Sequence, residues 1–107
     1  MSPSQALDNS QNAYRRAEIN GYPNPDAIAE EVYEACLRGE DYILQFRPRL
    51  GNQPWKDEPE ASFRSASEAQ GEAERLNADI LLSQEVQVAR RVNGVVVDNL
   101  VRKARKN

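Results

Sequence analysis

Four glutamates stand close enough along this chain to share a proton or hold a cation: Glu30 and Glu34, one helical turn apart, and Glu58 and Glu60. Such chemistry needs enclosure, because burial is what moves a carboxylate's pKa toward neutrality. Both pairs lie among other charges and read as solvated. Other reactive groups are scarce. With no histidine, the chain lacks the side chain that titrates nearest neutrality and most often binds metals. A single cysteine, Cys36, can form no internal disulfide, zinc cluster or dithiol pair. A reactive thiolate wants cationic neighbours and only Arg38 is near, so Cys36 reads as a small core residue. Gly21, Gly39, Gly51, Gly71 and Gly94 never take the spacing of a phosphate-cradling loop. No catalytic residue, cofactor or metal is expected, and the chain reads as a non-enzyme.

Binding is the remaining class of function, and charge marks where it would occur. The formal net charge of −3 predicts solubility rather than a partner. Its distribution says more. Between Glu18 and Glu60 ten acidic residues face four basic ones, whereas from Val86 onward six basic residues face only Asp98. The acidic segment offers a partner-binding surface made of Asp26, Glu30, Glu31 and Glu34 on a helix, continued by Glu40, Asp41, Asp57 and Glu58. Within it, Trp55 lies in a polar loop, and tryptophan is the residue interface hot spots favour. The same indole could instead fold down to cap a core short of large residues. The basic segment, Arg90 and Arg91 followed by Arg102, Lys103, Arg105 and Lys106, could hold phosphates in a salt-dependent way. The expected function is therefore a protein-binding module of adaptor or inhibitor type, docking a larger protein through the acidic helix and the Trp55 loop. The alternative is a nucleic-acid-binding accessory using the basic end. A DNA-reading pair of N-terminal helices is excluded, because the second would carry four carboxylates into the groove.

Local signals define the elements that would carry these residues. Ser2-Pro3-Ser4-Gln5 is a capping box with proline at the first helical position, and Asn20-Gly21 closes the helix it begins. The apolar face of that helix, through Leu7, Tyr14 and Ala17, is thin, so it is expected to fray or to need a partner. Asn24, Pro25 and Asp26 open a second helix over residues 25–38 that ends at Gly39. Ile28, Val32, Ala35 and Cys36 share its inner face, with Glu30, Glu31 and Glu34 outward. Asp41 to Arg47 reads as a strand with Tyr42, Leu44 and Phe46 toward the core, broken by Pro48. Residues 49–61 have loop composition, unless Ala61 to Arg64 pairs back as a short strand in a wide hairpin. Ser65 and Glu68 begin a third helix over about 66–79, with Ala69, Ala73, Leu76 and Ile80 inward. Val86 to Val92, Asn93-Gly94 and Val95 onward form a hairpin in which 92 pairs with 95, 90 with 97 and 88 with 99.

The order α-α-β-α-β-β predicts a small α+β single domain, residues 1–107, with one helix on a three-stranded, mainly antiparallel sheet. Residues 1–23 form a loosely packed N-terminal helix, 24–101 the core and 102–107 a mobile basic tail. A crossover through the third helix makes the first two strands point the same way, and the valine-rich last strand is expected between them. The competing order puts the second strand in the middle, parallel to the first. Leu, Ile, Val and Phe make up about a fifth of the chain, so the core must be small. An open edge on so small a sheet leaves room for a homodimer. No apolar run is long enough to span a membrane, and the first residues lack a secretory pattern, so the cytoplasm is the expected compartment.

Overall fold

The Ser2 hydroxyl accepts from the Gln5 N–H at 3.3 Å while the Gln5 side chain accepts from the Ser2 N–H at 3.2 Å, and helix α1 runs from Pro3 to Ile19. The computed structural model describes residues 1–79 and 81–100; Ile80 and the basic residues Arg102, Lys103, Arg105 and Lys106 lie outside them. Packing on α1 differs from the expected thin face. Ala6, Ser10, Ala13 and Ala17, spaced four, three and four apart, are buried, while Leu7 is 50 % exposed. Small side chains let two helix backbones come close, and the Ser10 hydroxyl donates to the Ala29 carbonyl at 2.9 Å across the contact. The partner is helix α2, Pro25–Arg38, capped by the Asn24 side chain and closed by Gly39 in the left-handed conformation. Ile28, Val32 and Cys36 meet the alanines of α1 in a core of their own, with Tyr22 and Tyr33 at its margin. The helical hairpin is thus held by internal packing.

Strand β1 (Glu40–Pro48) is followed by β2 (Lys56–Phe63), helix α3 (Ala66–Asn77), β3 (Gln84–Val92) and β4 (Val95–Leu100). The sheet is antiparallel throughout, in the order β2-β1-β3-β4. Two expectations are corrected. The strand count is four: Ser62 and Phe63 pair back on β1, as in the wide-hairpin alternative, and the pairing goes on through the polar stretch after Pro54, joining Tyr42 to Phe63 and Phe46 to Lys56. Its composition resembles that of a loop because it is an edge strand. Pro59, which has no N–H to donate, falls where the register shifts between the pairs Ile43–Ser62 and Leu44–Glu58. The order also differs. Since the chain returns along β2, the crossover through α3 starts from β2 and makes β2 and β3 point alike, with β1 between them and antiparallel to both. The valine-rich β4 takes the outer edge, leaving Val95 64 % exposed.

The last hairpin turns at Asn93 and Gly94, both at positive φ, as a two-residue turn requires. Val92 pairs with Val95, but a bulge next to Arg91 shifts the rest, so Arg90 faces Asp98 and Val88 faces Leu100. The shift has two benefits: Arg90 grips Asp98 through two hydrogen bonds of 3.1 and 2.9 Å, and Leu100 enters the core. That core lies between the sheet and α3, where Leu44, Val86 and Val88 pack on Ala69 and Ala73, flanked by Phe63 of β2 and by Tyr42 and Phe46, which with Leu44 form the expected face of β1. Among the described residues no helix is long and apolar enough to cross a membrane.

Candidate functional site

Pro48 ends β1 and releases the chain into residues 49–55, which the structure fixes at both ends. At one end Arg49 donates from its backbone N–H to the Ser83 carbonyl at 3.0 Å. Its guanidinium reaches the Leu82 carbonyl at 3.0 Å and the Asn77 carbonyl at 3.1 Å, so one side chain ties this loop to the end of α3 and the approach to β3. The Asn77 amide strengthens the same corner by accepting from the Val86 N–H and donating to the Val86 carbonyl, both at 2.8 Å. At the other end the Trp55 ring lies under the Arg47 guanidinium, with Cζ 4.4 Å from the ring centroid. Arg47 is itself held by Glu85 at 2.6 Å. The result is a half-buried indole whose orientation is set by a cation on a rigid strand.

Around that stack lies a groove of about 470 Å³, bounded by Phe46, Leu50, Gln53 and Lys56 as well as Arg47 and Trp55. Leu50 is 87 % exposed on its rim, and Leu81, next to the Leu82 carbonyl that Arg49 binds, is 89 % exposed. Trp55 thus does not cap either core: its ring stacks on Arg47 of β1 and keeps part of its surface open. Leu50 and Leu81 carry no sequence signal of this role; Leu50 precedes Gly51 and reads as turn. Arg49 ties the two loops that carry them to one corner of the molecule.

The acidic residues expected to form one surface with Trp55 divide into groups. Glu34 on α2 and the Trp55 loop lie at opposite ends of β1, whose nine residues span roughly 25 Å. Asp26 and Glu30 are exposed with no partner among the described residues. Glu31, half-buried, accepts from the Ser65 hydroxyl at 2.7 Å, the Ser67 N–H at 3.0 Å and the Ser67 hydroxyl at 2.7 Å, so it serves the first turn of α3. Glu34 pairs with Arg38, which also reaches Glu40 at 3.7 Å; Glu40 in turn receives Arg90 at 3.0 Å. Asp41 takes both ends of the Arg91 fork, at 2.9 and 2.5 Å. Asp57 accepts from Gln45 at 2.7 Å, and Gln45 accepts from Gln87 at 2.7 Å, forming an amide ladder across three strands. Glu58 and Glu60 are exposed on β2.

Of the expected basic surface, Arg90 and Arg91 are both engaged by carboxylates. Hydrogen bonding to Asp98 holds the Arg90 pKa up and, reciprocally, the Asp98 pKa below its ordinary value; bonding to Asp41 likewise raises that of Arg91. Cys36 is fully buried in the α1–α2 core. The chain matches no protein-family model, no curated protein and no solved structure.

Proposed function

We propose that the protein is a non-enzymatic binding module of adaptor or inhibitor type, docking a larger protein with the Trp55 end of the sheet as its anchor. The observation that supports this most is the coincidence, at one pinned corner, of a stacked but accessible indole, the exposed Leu50 and a groove beside them. A preformed aromatic anchor loses little conformational freedom on binding, which is the economy hot spots exploit. The outward carboxylates Asp26 and Glu30 of α2, with Glu58 near the anchor, supply long-range attraction for a basic partner surface. In this reading, anchor and charges have separable effects.

Affinity capture from host lysate with purified chain, with and without nuclease, tests it. Trp55→Ala and Leu50→Asp should each abolish retention of the captured protein, because the anchor controls dissociation. Charge reversal at Asp26 and Glu30 should slow association and flatten its salt dependence. Unchanged capture by both anchor variants refutes the reading, and capture that disappears on nuclease treatment would replace it with the nucleic-acid alternative.

A further inference from the structure

We propose a second binding site: the cleft between α1 and α3 takes a small organic anion, a carboxylate or phosphate monoester carrying an apolar or aromatic body, through the guanidinium of Arg64. The cleft measures about 800 Å³, within the range of small-ligand sites, and is independent of the docking surface at the Trp55 end. Asn9 and Arg16 of α1 and Asn20 at its C-terminal end form one wall, Glu68 and Gly71 of α3 the other.

Arg64 stands out by its lack of a partner. Seven of the nine arginines among the described residues meet a carboxylate or a backbone carbonyl. Arg15 and Arg64 do not, and of these Arg15 is exposed on α1 whereas Arg64 is half-buried. A half-buried guanidinium carries five donors that favour planar, two-oxygen acceptors over water. Arg64 also borders a second hollow of about 430 Å³ beside Gln5 and Cys36, so its flanks are open on two sides.

Charge and polarity in the cleft favour the same ligand. Arg16 is cancelled by Glu68, which it grips at 3.0 and 2.8 Å, and Arg75 is cancelled by Glu72. Among the described residues, Arg64 is the one cation lining the cleft that no carboxylate grips, with Glu31, bonded to the neighbouring Ser65, as a nearby opposing charge outside the lining. The apolar part of a ligand would meet Val32, Phe63 and the Tyr22 ring, all of which line the cleft. Burial pushes the Tyr22 phenol pKa up, helped by Glu68, so its hydroxyl remains a donor; it has no partner among the described residues.

Isothermal titration and amide-proton NMR on the full chain, with phenyl phosphate, benzoate and inorganic phosphate as probes, test the site. Phenyl phosphate or benzoate should saturate and shift the signals of Tyr22, Phe63, Gly71 and the Arg64 Nε–H, and inorganic phosphate should bind more weakly. The stronger of the two aromatic probes identifies the anion class. Arg64→Gln should weaken binding at least about tenfold, Arg64→Lys should retain part of it, and Arg15→Gln should leave it unchanged. The proposal is overturned if no probe saturates below about 10 mM, or if Arg15→Gln weakens binding as much as Arg64→Gln does.

Discussion

Replacing Glu31 by alanine should destabilise the protein far more than the same change at Glu30 or Glu34, although all three stand on one helix and look alike in sequence. Glu31 receives three hydrogen bonds from the first turn of α3, two from serine hydroxyls and one from the Ser67 N–H, which has no partner inside its helix. A hydrogen bond to a charged group contributes about 1.5–3 kcal/mol net. Three bonds to one carboxylate are not additive, and Glu31 is only half-buried, so Glu31→Ala should cost about 2–3 kcal/mol in all. Glu34 makes an exposed pair with Arg38 one turn away, worth about 0.3–0.5 kcal/mol. Glu30 has no partner among the described residues and should change stability by less than about 0.5 kcal/mol. Urea unfolding of the three variants gives the differences directly, and thermal unfolding should place Glu31→Ala about 10 °C or more below wild type. Glu31→Gln, which keeps an acceptor but loses the charge, should fall between. A Glu31→Ala midpoint indistinguishable from that of Glu30→Ala would show that the carboxylate does not cap α3. The ranking also governs how binding is tested, since reversing the charge at Glu31 confounds docking with folding, whereas Glu30 does not and Asp26, in the first turn of α2, does so only through the helix dipole.

Gly39→Ala should be worse than Gly21→Ala by about 1 kcal/mol or more: both glycines have positive φ, but an added methyl at Gly39 collides with Asn93 Oδ1 and at Gly21 meets nothing within 4 Å. Equal losses in urea would mean that the Asn93 side chain swings aside. Gly71→Ala should stabilise by about 0.5–1 kcal/mol through helix propensity, because the only close atom, the Tyr22 hydroxyl at 3.1 Å, ends a side chain that borders the open cleft; a lowered melting temperature would show Tyr22 to be fixed. Hydrogen bonds from Arg90 and Arg75 hold the pKa values of Asp98 and Glu72 below their unfolded ones. Their stabilisation is therefore complete above the unfolded pKa and disappears as pH falls through the folded one, so stability should drop below about pH 4. Asp98→Asn should flatten that decline, and an unaltered pH profile would contradict it.

The parts of the fold legible in the sequence are those that local hydrogen bonding decides. Ser2, Asn24 and Ser65 each accept from a backbone N–H three residues on, Gly39 closes α2, and Asn93-Gly94 turns the last hairpin. These choices involve neighbours only, so the residues that make them are sufficient to read them. The inner face of α1 is hard to read because Ala6, Ser10, Ala13 and Ala17 have little hydrophobicity to signal, and their value lies in what they allow a second helix to do. Strand β2 is hidden for a related reason: at an edge, charge and proline are tolerated and even protective, so Lys56 to Glu60 have the composition of a loop although Lys56, Asp57 and Glu58 pair with β1. Without β2 the crossover starts one strand too early, and the order of the sheet changes with it. At the candidate site, Trp55 is legible as a tryptophan in a polar loop, but the stack that orients it depends on Arg47 and Glu85, 38 residues apart.

The uneven charge along the chain carries a different meaning once the register is known. Along the sequence it reads as two surfaces, an acidic one for a protein and a basic one for phosphates. In the sheet, the acidic start of β1 lies antiparallel to the basic end of β3, with Asp41 opposite Arg91 and Tyr42 opposite Arg90. Glu34, Arg38, Glu40, Arg90 and Asp98 then alternate in sign from α2 across three strands. Had β4 lain between β1 and β3, the carboxylates of β1 and the arginines of β3 would have been a strand apart and unpaired. The opposite charges of the two segments are thus in part a specification of which strands are neighbours, and a like-charge mismatch would penalise the alternative order. What remains for partners is drawn from the residue of this cancellation, the charges that the fold leaves unanswered among the described residues: they include Asp26 and Glu30 on α2, Glu58 on β2, and Arg64 in its cleft.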